Sequence, residues 1–271
     1  MGSVNPIPWP SLPLAHKAFN LASEIIGRSF AFITRLSKFR VVQQELFSIS
    51  PKKGEQARRK LLLAALKKFG EKGYENASVR EIAEEAGQNV AAIAYYFGNK
   101  EKLYAGVLEG IGDYLRAVFS KVAEDSRERL QEGSPDTGSA AGIIKRMMRT
   151  LLGEQLEGSE FEKIRLVMLR EQAAPSENFE LLYSRTLRPL HELFARAVGI
   201  ATGDDPASEK AILRTHALFG QVLSFTLARA TILRRLGIKK LEPHHTMQIA
   251  AILDEHVDLI CEGLGTKGIG R

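Results

Sequence analysis

The sequence is poor in cysteine and in long apolar runs, and each shortage excludes a class of protein. Cys261 is the only cysteine among 271 residues, so the chain forms no internal disulfide and no Cys-X-X-Cys site, which suits a reducing compartment. No apolar run approaches the roughly 18 residues that a membrane-spanning helix requires, and Lys17 and Asn20 interrupt the one segment that resembles an export leader. We therefore expect a cytoplasmic protein without a membrane partner.

Catalytic and metal-binding motifs are missing as well. The chain has no Gly-X-Ser-X-Gly, no His-Glu-X-X-His and no phosphate-binding loop, and Cys261 lacks partners at the spacing that a nucleophile needs. His244 and His245 are adjacent, so they cannot share one face of a helix as metal ligands would. We expect no enzyme, no metal site and no cofactor, and we interpret Cys261 as a small core residue rather than a redox sensor.

The excess of positive charge is confined to one end of the chain. Residues 1–110 hold 16 Lys and Arg against 10 Asp and Glu, whereas residues 111–271 hold 22 of each. A basic end joined to a neutral body indicates an end that faces nucleic acid and a body with another task. The alternative is an ordinary solvated surface, which could carry the same excess of Lys and Arg.

Helical periodicity runs through nearly all of the chain after residue 50. Apolar residues recur at spacings of three and four, and clusters of Gly, Pro and Asn divide the pattern. We predict an all-α fold of about nine helices, in which three short basic helices precede an antiparallel bundle. The predicted helices span residues 55–72, 78–86, 90–96, 100–131, 140–157, 160–173, 176–199, 207–236 and 244–263. Pro189 is expected to kink or interrupt its helix because it lacks the N–H donor.

Residues 1–50 fit poorly with this pattern. Four prolines fall in the first 13 residues, and a basic, aromatic, loosely amphipathic segment follows them. Such a segment could be an arm that grips DNA, a helix on a membrane surface, or a stretch upstream of the natural start codon. We predict a weakly ordered extension without essential function, and a flexible tail at 264–271.

The first basic helix is predicted to end at Gly73, a natural C-terminal stop. Its buried stripe should contain Ala57, Leu61, Ala65, Leu66 and Phe69. Ser78 is positioned to cap the next helix, and Glu81, three residues later, would complete a capping box. The inward residues of that helix are predicted to be Val79, Ile82, Ala83 and Ala86.

A helix-turn-helix motif is predicted at about residues 77–96. Gly87 permits a tight turn, and Asn89 would cap a third helix in which Ile93 and Phe97 face the core. The second helix of such a motif lies in the major groove of DNA, where small residues allow close approach. The outward residues of this helix are Ala91, Ala92 and Tyr95.

Each candidate DNA contact has a chemical reason. Alanines can touch thymine methyl groups, and the hydroxyls of Tyr95 and Tyr96 can reach phosphates or base edges. Lys100 begins the next helix, so its charge and the positive helix end could together hold a phosphate. The predicted DNA-binding residues are Ser78, Arg80, Gln88, Asn89, Ala91, Ala92, Tyr95, Tyr96 and Lys100.

Residues 54–114 resemble the DNA-binding domain of the TetR family of bacterial transcription regulators. The resemblance rests on RRKLLLAALKKFGEKGYENASVREIAEEAG and on YYFGNKEKL, which joins the recognition helix to a long fourth helix. Most family members have valine and serine where this chain has Gln88 and Asn89, and the variant QNVAAIAYYFG resembles the CecR-like subgroup. In the body, REQAAPSENFELLYSRTLRPLHELFARAVG and HALFGQVLSFTLARATILRRLG resemble the C-terminal ligand-binding and dimerisation domain of that subgroup, placed here at 115–263.

The resemblance implies a homodimer built mainly from the last two helices. One of these helices carries a stripe of Ile212, His216, Phe219, Leu223 and Leu227, and the other carries Ile249, Ile252, His256 and Leu259. Apolar residues off the stripes, such as Val222, Leu253 and Ile260, indicate that each helix could bury more than one face. An ordinary core is the alternative to a dimer interface.

The resemblance also implies a pocket in each subunit for a small, often apolar effector, whose binding re-spaces the recognition helices and releases DNA. The candidate apolar lining consists of Met147, Met148, Leu151, Phe161, Met168, Phe194 and Phe225. The candidates for orienting a polar group are Arg170, Glu171, Gln172, His191, His216 and Gln221. Met and Phe at helical spacing are more often core, and a lone His is more often a satisfied partner than a ligand contact.

These patterns together predict a sequence-specific, dimeric DNA-binding transcription regulator. The resemblance implies a repressor that a small apolar effector releases from a palindromic operator, and activation is the alternative. Each subunit would place residues 90–96 in successive major grooves, roughly 34–36 Å apart. The alternative is a basic protein that binds DNA or membrane surfaces through charge alone, with uniform affinity for any DNA.

Overall fold

The fold is that of a computed structural model, which describes residues 46–47, 53–131, 136–157 and 159–265. Within those ranges every regular element is helical, as the periodicity predicts. In chain order the helices are α1 Lys53–Asn76, α2 Val79–Glu85, α3 Val90–Phe97, α4 Lys100–Gln131, α5 Thr137–Glu157, α6 Ser159–Ala173, α7 Phe179–Leu182, a π-helical turn Tyr183–Leu187, α8 Arg188–Thr202, α9 Glu209–Leu227, α10 Arg229–Leu236 and α11 Pro243–Gly265. None of these helices is long and apolar enough to cross a membrane.

The helical backbone of α1 is interrupted at Gly73, where φ is 80° and ψ is 167°. Glycine adopts this conformation without the steric cost that a Cβ brings, so the predicted stop is confirmed. The predicted stripe is buried except for Ala57, which is half-buried. Leu62 and Ala64 are buried too, because α6 packs against α1 and widens the covered face.

Two of the predicted helices are each divided. The helix expected at 176–199 consists of α7, the π-helical turn and α8, with Pro189 in the first turn of α8. Proline has no N–H to donate one turn back, and the backbone before it takes the wider π hydrogen bonding, in which the N–H of Arg188 donates to the carbonyl of Tyr183. The helix expected at 207–236 is divided at Ala228 into α9 and α10.

Two hydrophobic clusters organise the described residues. The first combines α1, α2, α3 and the first half of α4 with Phe161, Ile164 and Val167 of α6. The second combines the remainder of α4 with α5, α8, α9 and α11. Along α4, the buried residues up to Leu115 belong to the first cluster and those from Val122 belong to the second, so α4 is a member of both clusters.

Leu46 and Phe47 belong to the first cluster, although the predicted extension reaches residue 50. Leu46 is fully buried, and its carbonyl accepts a hydrogen bond from Nε of Arg59 at 3.3 Å. The Phe47 ring lies against Gly110, where any side chain would collide with it. Leu46 and Phe47 therefore pack as part of the first cluster. Residues 1–45 and 48–52 lie outside the described residues, and so do 266–271 of the predicted tail, while α11 continues to Gly265.

Candidate nucleic-acid interface and effector region

The start of α2 is fixed by a reciprocal pair of hydrogen bonds. The backbone N–H of Glu81 donates to Oγ of Ser78 at 3.2 Å, and the N–H of Ser78 donates to the Glu81 carboxylate at 3.2 Å. This confirms the predicted capping box. At the other end Gly87 has a φ of 63°, and the N–H of Gln88 donates to the carbonyl of Ala83 at 2.9 Å. The turn between α2 and α3 is thereby set by backbone conformation.

The short helix α3 presents one face to the core and one to the outside. Oδ1 of Asn89 accepts a hydrogen bond from the N–H of Ala92 at 2.9 Å, which confirms the predicted cap. Ile93 and Phe97 are buried as predicted, whereas Tyr95 is 81 % exposed. The exposed face consists of Val90, Ala91, Ala94 and Tyr95. It is small and nearly uncharged, and it can enter a groove closely.

The two adjacent tyrosines have different surroundings. The Tyr96 ring packs against the first cluster and meets the edge of the Tyr95 ring, with centroids 4.9 Å apart. Its hydroxyl lies beside Gly54 at the start of α1, 3.6 Å from the position that a Cβ on Gly54 would occupy. Tyr95 therefore projects freely, while Tyr96 is held between α3 and α1.

Lys100 is bound within the protein at the point where α1 ends. Its Nζ donates to the carbonyl of Glu75 at 3.1 Å and lies 4.6 Å from the centroid of the Tyr74 ring. The start of α4 is capped by Asn99, whose Oδ1 accepts from the N–H of Lys102 at 2.8 Å. Sequence reasoning missed this cap, although an asparagine directly after Gly98 is a recognisable signal.

Much of the basic face of α1 is paired with α2. Lys67 and Lys68 lie 2.7 and 3.0 Å from the carboxylate of Glu85, and Lys72 lies 2.5 Å from that of Glu81. The hydrogen bond from Lys72 lowers the pKa of Glu81, and the one from Lys67 lowers the pKa of Glu85. These lysines hold α2 against α1, and so their charge is partly neutralised before any DNA arrives.

Other cations lie on the helices that pack around α3. Arg80 on α2 and Lys102 on α4 are exposed, and neither forms an ion pair with another described residue. The guanidinium of Arg58 lies over the Phe97 ring, 5.2 Å from its centroid. Arg58 and Lys102 were absent from the predicted set, because charge alone in a sequence does not show which side of a helix faces the motif.

The predicted effector residues do not all lie together. Met147, Met148 and Phe194 are buried in the second cluster, with Leu151 and Phe225 packed against it. Phe161 and Met168 instead belong to the first cluster or pack against it. The structure therefore separates the predicted lining between the two cores.

Arg170 and Glu171 of α6 face the DNA-binding end of the molecule. Nε and Nη2 of Arg170 donate to the carbonyls of Gly70 and Glu71 on α1, at 3.0 and 2.9 Å. Glu171 is buried and accepts from the hydroxyl of Tyr104 on α4. The next residue, Gln172, is exposed. These residues join α6 to α1 and α4 and do not line the second cluster.

Histidine and phenylalanine rings meet where α8 packs against α9. The ring centroids of Phe194 and Phe219 are 4.7 Å apart, and those of His191 and Phe219 are 5.7 Å apart. His216 lies next to His191, with centroids 6.4 Å apart. Burial lowers the pKa of His191, and the neighbouring His216 lowers it further. Of the predicted polar residues, these two histidines and Gln221 lie beside the second cluster.

A separate cleft of about 260 Å³ opens between α4 and the π-helical turn. Its walls run from Leu108 to Arg116 and from Leu181 to Thr186. Arg116 donates to Oγ1 of Thr186 at 2.5 Å, so part of its polar lining is already paired. None of the predicted effector residues lines this cleft.

Apolar side chains are exposed along both helices that were predicted to carry stripes. Ile212 and Leu227 of α9 are 44 % and 60 % exposed, and Ile252 and Leu259 of α11 are 45 % and 66 % exposed. The opposite faces are buried, with Val222 and Leu253 as members of the second cluster. Nδ1 of His256 lies 3.0 Å from Oε1 of Gln221, which links the two helices. Most of the stripe is therefore outside the core of the single chain.

Two short helices, a tight glycine turn and an exposed small-residue face on the second helix define a helix-turn-helix DNA-binding protein. Residues 61–107 match the family model described as bacterial regulatory proteins, tetR family. Residues 140–264 match the C-terminal domain of the HTH-type transcriptional dual regulator CecR. The chain belongs to the TetR family of transcription regulators, as its motifs predict.

Relatives support this membership over most of the chain. The HTH-type transcriptional dual regulator CecR of Shigella flexneri is 37% identical over 217 residues, which cover 80% of this chain and 96% of the relative. The HTH-type transcriptional repressor NicS of Pseudomonas putida is 34% identical over 95 residues, which cover 35% of this chain and 42% of the relative.

Two solved structures share the fold. HlyIIR, a hemolysin II transcriptional regulator, has a TM-score of 0.51 at 22% identity and covers 74% of this chain and 98% of its own. AibR in complex with isovaleryl coenzyme A and operator DNA has a TM-score of 0.53 at 18% identity and covers 75% and 97%. The predicted all-α regulator fold is confirmed.

Proposed function

We propose that this regulator is a homodimeric repressor that binds a palindromic operator through α3 and leaves it when a small molecule binds in the body. The observation that carries the proposal is the outer face of α3, where Tyr95 is 81 % exposed among alanines. Ser78 caps the start of α2 and Asn89 caps the start of α3, so both helices of the motif begin at fixed positions. Such a face reads base edges in the major groove. The Shigella relative is named a dual regulator, so activation at a second class of operator is the natural extension.

The proposed roles of the DNA-facing residues follow their exposure. Tyr95 and Ala91 would contact bases, while Arg80, Gln88 and the N–H groups near Ser78 and Asn89 would contact phosphates. Ala92, which was predicted to point outward, is half-buried and packs against the first cluster, so it is left out of the base-reading set. Lys100 and Tyr96 already have partners inside the protein. We infer that they fix the spacing between α1, α3 and α4, and that Lys100 adds charge beside the backbone of the DNA.

The proposed dimer uses the exposed apolar faces of α9 and α11. Large apolar residues at Ile212, Leu227, Ile252 and Leu259 line two helices that a hydrogen bond holds side by side. Exposed apolar area of this kind marks an interaction surface, and a two-fold axis lets one such patch cover another copy of itself. A two-fold axis would relate the recognition helices of the two subunits, and the target would then be palindromic.

The proposed effector site lies in the second cluster, among α5, α8 and α9. Met147, Met148 and the ring group of His191, Phe194 and Phe219 provide adaptable apolar contacts there. AibR was solved with isovaleryl coenzyme A and operator DNA together, which supports a ligand-responsive body in proteins of this fold. We also infer a cytoplasmic protein without catalytic activity, because it resembles regulators that act on DNA.

The test is selection of genomic fragments by the full chain at moderate salt, with the variant Tyr95→Ala in parallel. We expect the wild type to recover one inverted repeat, and the variant to lose the preference for it. A featureless spread of fragments from the wild type would favour the alternative, a protein that binds DNA through charge alone. Light scattering of the same preparation would give the mass of the dimer.

A further inference from the structure

Arg146 on α5 has a buried guanidinium edge without a partner. Among the described residues, three buried side-chain polar atoms lack a hydrogen bond, and they are Nε and Nη2 of Arg146 and Oγ of Ser126. Ser126, on α4, is fully buried. Arginine cannot give up its charge at any ordinary pH, so burial without an anion is costly and unusual.

The surroundings place this edge between α4 and α5. Burial lowers the pKa of Arg146, Arg129 lowers it further, and Asp125 acts in the opposite direction. Asp125 and Arg129 flank Ser126 on α4, so the guanidinium lies beside the turn that carries the Ser126 hydroxyl. Asp125 forms no ion pair with Arg146, so the described part of the chain supplies no acceptor for Nε and Nη2.

The backbone next to Arg146 is open on the Nη1 side of the guanidinium. Gly142 lies one turn before Arg146 on α5, and a Cβ built there would have a single neighbour within 4 Å, Nη1 of Arg146 at 3.9 Å. Val122, Leu130 and Met147 of the second cluster provide apolar surface on the same two helices. The site combines two unsatisfied donor groups with an apolar wall.

Arg149, one turn further along α5, shows what this edge binds when an acceptor is present. Its Nε donates to Oδ1 of Asp254 at 3.2 Å, and its Nη2 donates to Oδ2 of the same carboxylate. The Nε and Nη2 groups of a guanidinium are parallel donors that match the two oxygens of one oxyanion. Arg146 offers the same pair of donors in a buried position.

We propose that Arg146 binds the oxyanion group of the effector through its Nε and Nη2 edge, with the Ser126 hydroxyl as a second donor and the apolar part of the ligand against Met147. The proposal rests on the function proposed above, because it assumes that the body binds an effector. It adds the chemical class: the ligand is an anionic amphiphile with a carboxylate, rather than a neutral apolar molecule. A phosphate would satisfy the same donors, and the choice of probes below separates the two.

The test compares ligands that share a ten-carbon tail and differ in the head group: decanoate, decyl phosphate, decanol and decyltrimethylammonium. Binding to the full chain is measured by the rise in melting temperature and by titration calorimetry. We expect decanoate to bind most tightly and decanol and the cation to bind at least about tenfold more weakly, as the loss of a charged hydrogen-bond pair predicts. Tighter binding of decyl phosphate than of decanoate would overturn the choice of a carboxylate and identify a phosphate ligand. Equal binding of decanol and decanoate would overturn the anion site itself.

The matched variants are Arg146→Gln and Arg127→Gln. Arg127 is an exposed arginine of α4 beside Ser126, so its replacement removes the same charge without touching the buried edge. We expect Arg127→Gln to bind decanoate as the wild type does and Arg146→Gln to bind it at least about tenfold more weakly. Equal affinity of the two variants, or no binding of either anionic probe by the wild type, would overturn the proposal.

A second measurement needs neither ligand nor DNA. Arg146→Met removes a buried charge that has no partner, so the ligand-free variant should melt at a higher temperature than the wild type, whereas Arg127→Met should not. A lower melting temperature for Arg146→Met would identify a structural arginine and count against the site. These readouts are independent of operator selection, so a failure of the anion site and a failure of the regulator function give different results.

Discussion

The hydroxyl of Tyr104 on α4 donates a hydrogen bond to the carboxylate of Glu171 on α6, and both side chains are buried. Burial raises the pKa of Tyr104, and the bond to Glu171 raises it further, so the hydroxyl stays protonated. The same carboxylate accepts from the N–H and Oγ of Ser176, each at 3.1 Å. A single buried carboxyl group thus joins the long helix α4 to α6, the helix that packs against α1.

Replacing this hydroxyl tests that link. Tyr104→Phe leaves the Glu171 carboxylate with one donor fewer, and we expect a loss of about 1–3 kcal/mol in the free energy of unfolding. Urea denaturation gives the value, and Tyr183→Phe, at a tyrosine that is 41 % exposed, is the matched control with little expected change. The two variants losing the same stability would contradict a special role for the buried pair.

Tyr95 and Lys100 are predicted to affect DNA binding in different ways. Tyr95→Ala removes a projecting side chain from the face that reads bases, so it should weaken binding to the selected operator by about 1–3 kcal/mol and much less to random DNA. Lys100→Gln should weaken binding to all sequences alike and make the logarithmic salt dependence shallower by about one. Fluorescence anisotropy over a salt series separates the two effects.

Lys100 also contacts the end of α1, and so its variant needs two controls. Lys121→Gln removes the same charge from an exposed position in the far half of α4 and should leave DNA binding unchanged. Thermal unfolding of Lys100→Gln shows whether the domain is intact. A loss of sequence preference in Lys100→Gln, with folding unchanged, would mean that this lysine reads bases rather than phosphates.

The dimer prediction concerns the most exposed apolar residue of α11. Leu259→Glu places a charge in the proposed interface, where it would be desolvated against the other subunit, so the variant should be monomeric at concentrations at which the wild type is dimeric. Sedimentation velocity gives the mass. Leu236→Glu, on α10, alters an apolar residue that is 50 % exposed and should stay dimeric. A dimeric Leu259→Glu protein would exclude this face of α11 from the interface.

The pH dependence of stability is predicted from His191. Because burial lowers its pKa in the folded protein, the unfolded chain binds the proton first as the pH falls. The stability contributed by the neutral ring is present above the unfolded pKa of about 6.5 and is lost as the pH falls below it. His216 lowers the pKa of the His191 ring further, and Glu192 partly offsets this.

The corresponding variant is His191→Gln, which cannot be protonated. Its free energy of unfolding, measured by urea denaturation between pH 7.5 and 5.5, should decline less than that of the wild type. His216→Gln removes a group that lowers the pKa of His191 in the folded protein, so the gap between the folded and unfolded pKa narrows and the decline should be smaller than in the wild type. A decline in His191→Gln as steep as in the wild type would assign the pH dependence to other groups.

The sequence predicted the DNA-binding motif well because its determinants are local. The Ser78–Glu81 capping box, the Asn89 cap and the positive φ of Gly87 each depend on residues within one turn of the chain. Periodicity then separated buried Ile93 from exposed Tyr95. Each of these features has a short-range physical cause that a sequence displays directly.

The effector region was harder to predict because its contacts join distant segments. A helical pattern shows that Phe161 faces a core, yet it does not show which core, and α6 packs against α1 across about 100 residues of chain, as Arg170 and Gly70 do. The pairing of Lys72 with Glu81 between two helices was hidden for the same reason. Arg146 drew no attention in the sequence, since only burial distinguishes it from the other arginines.

The shared membership of α4 in both clusters makes that helix a lever. Its 32 residues, at a rise of 1.5 Å each, give a rod about 48 Å long, one end of which follows directly after α3. A tilt of about 5° along such a rod displaces its far end by roughly 4 Å, more than the 3.4 Å between neighbouring nucleotides of one DNA strand. In the repressor proposed above, a ligand beside the distal half of α4 would therefore need to rotate the helix by only a few degrees to release the operator, and neither core would have to unfold.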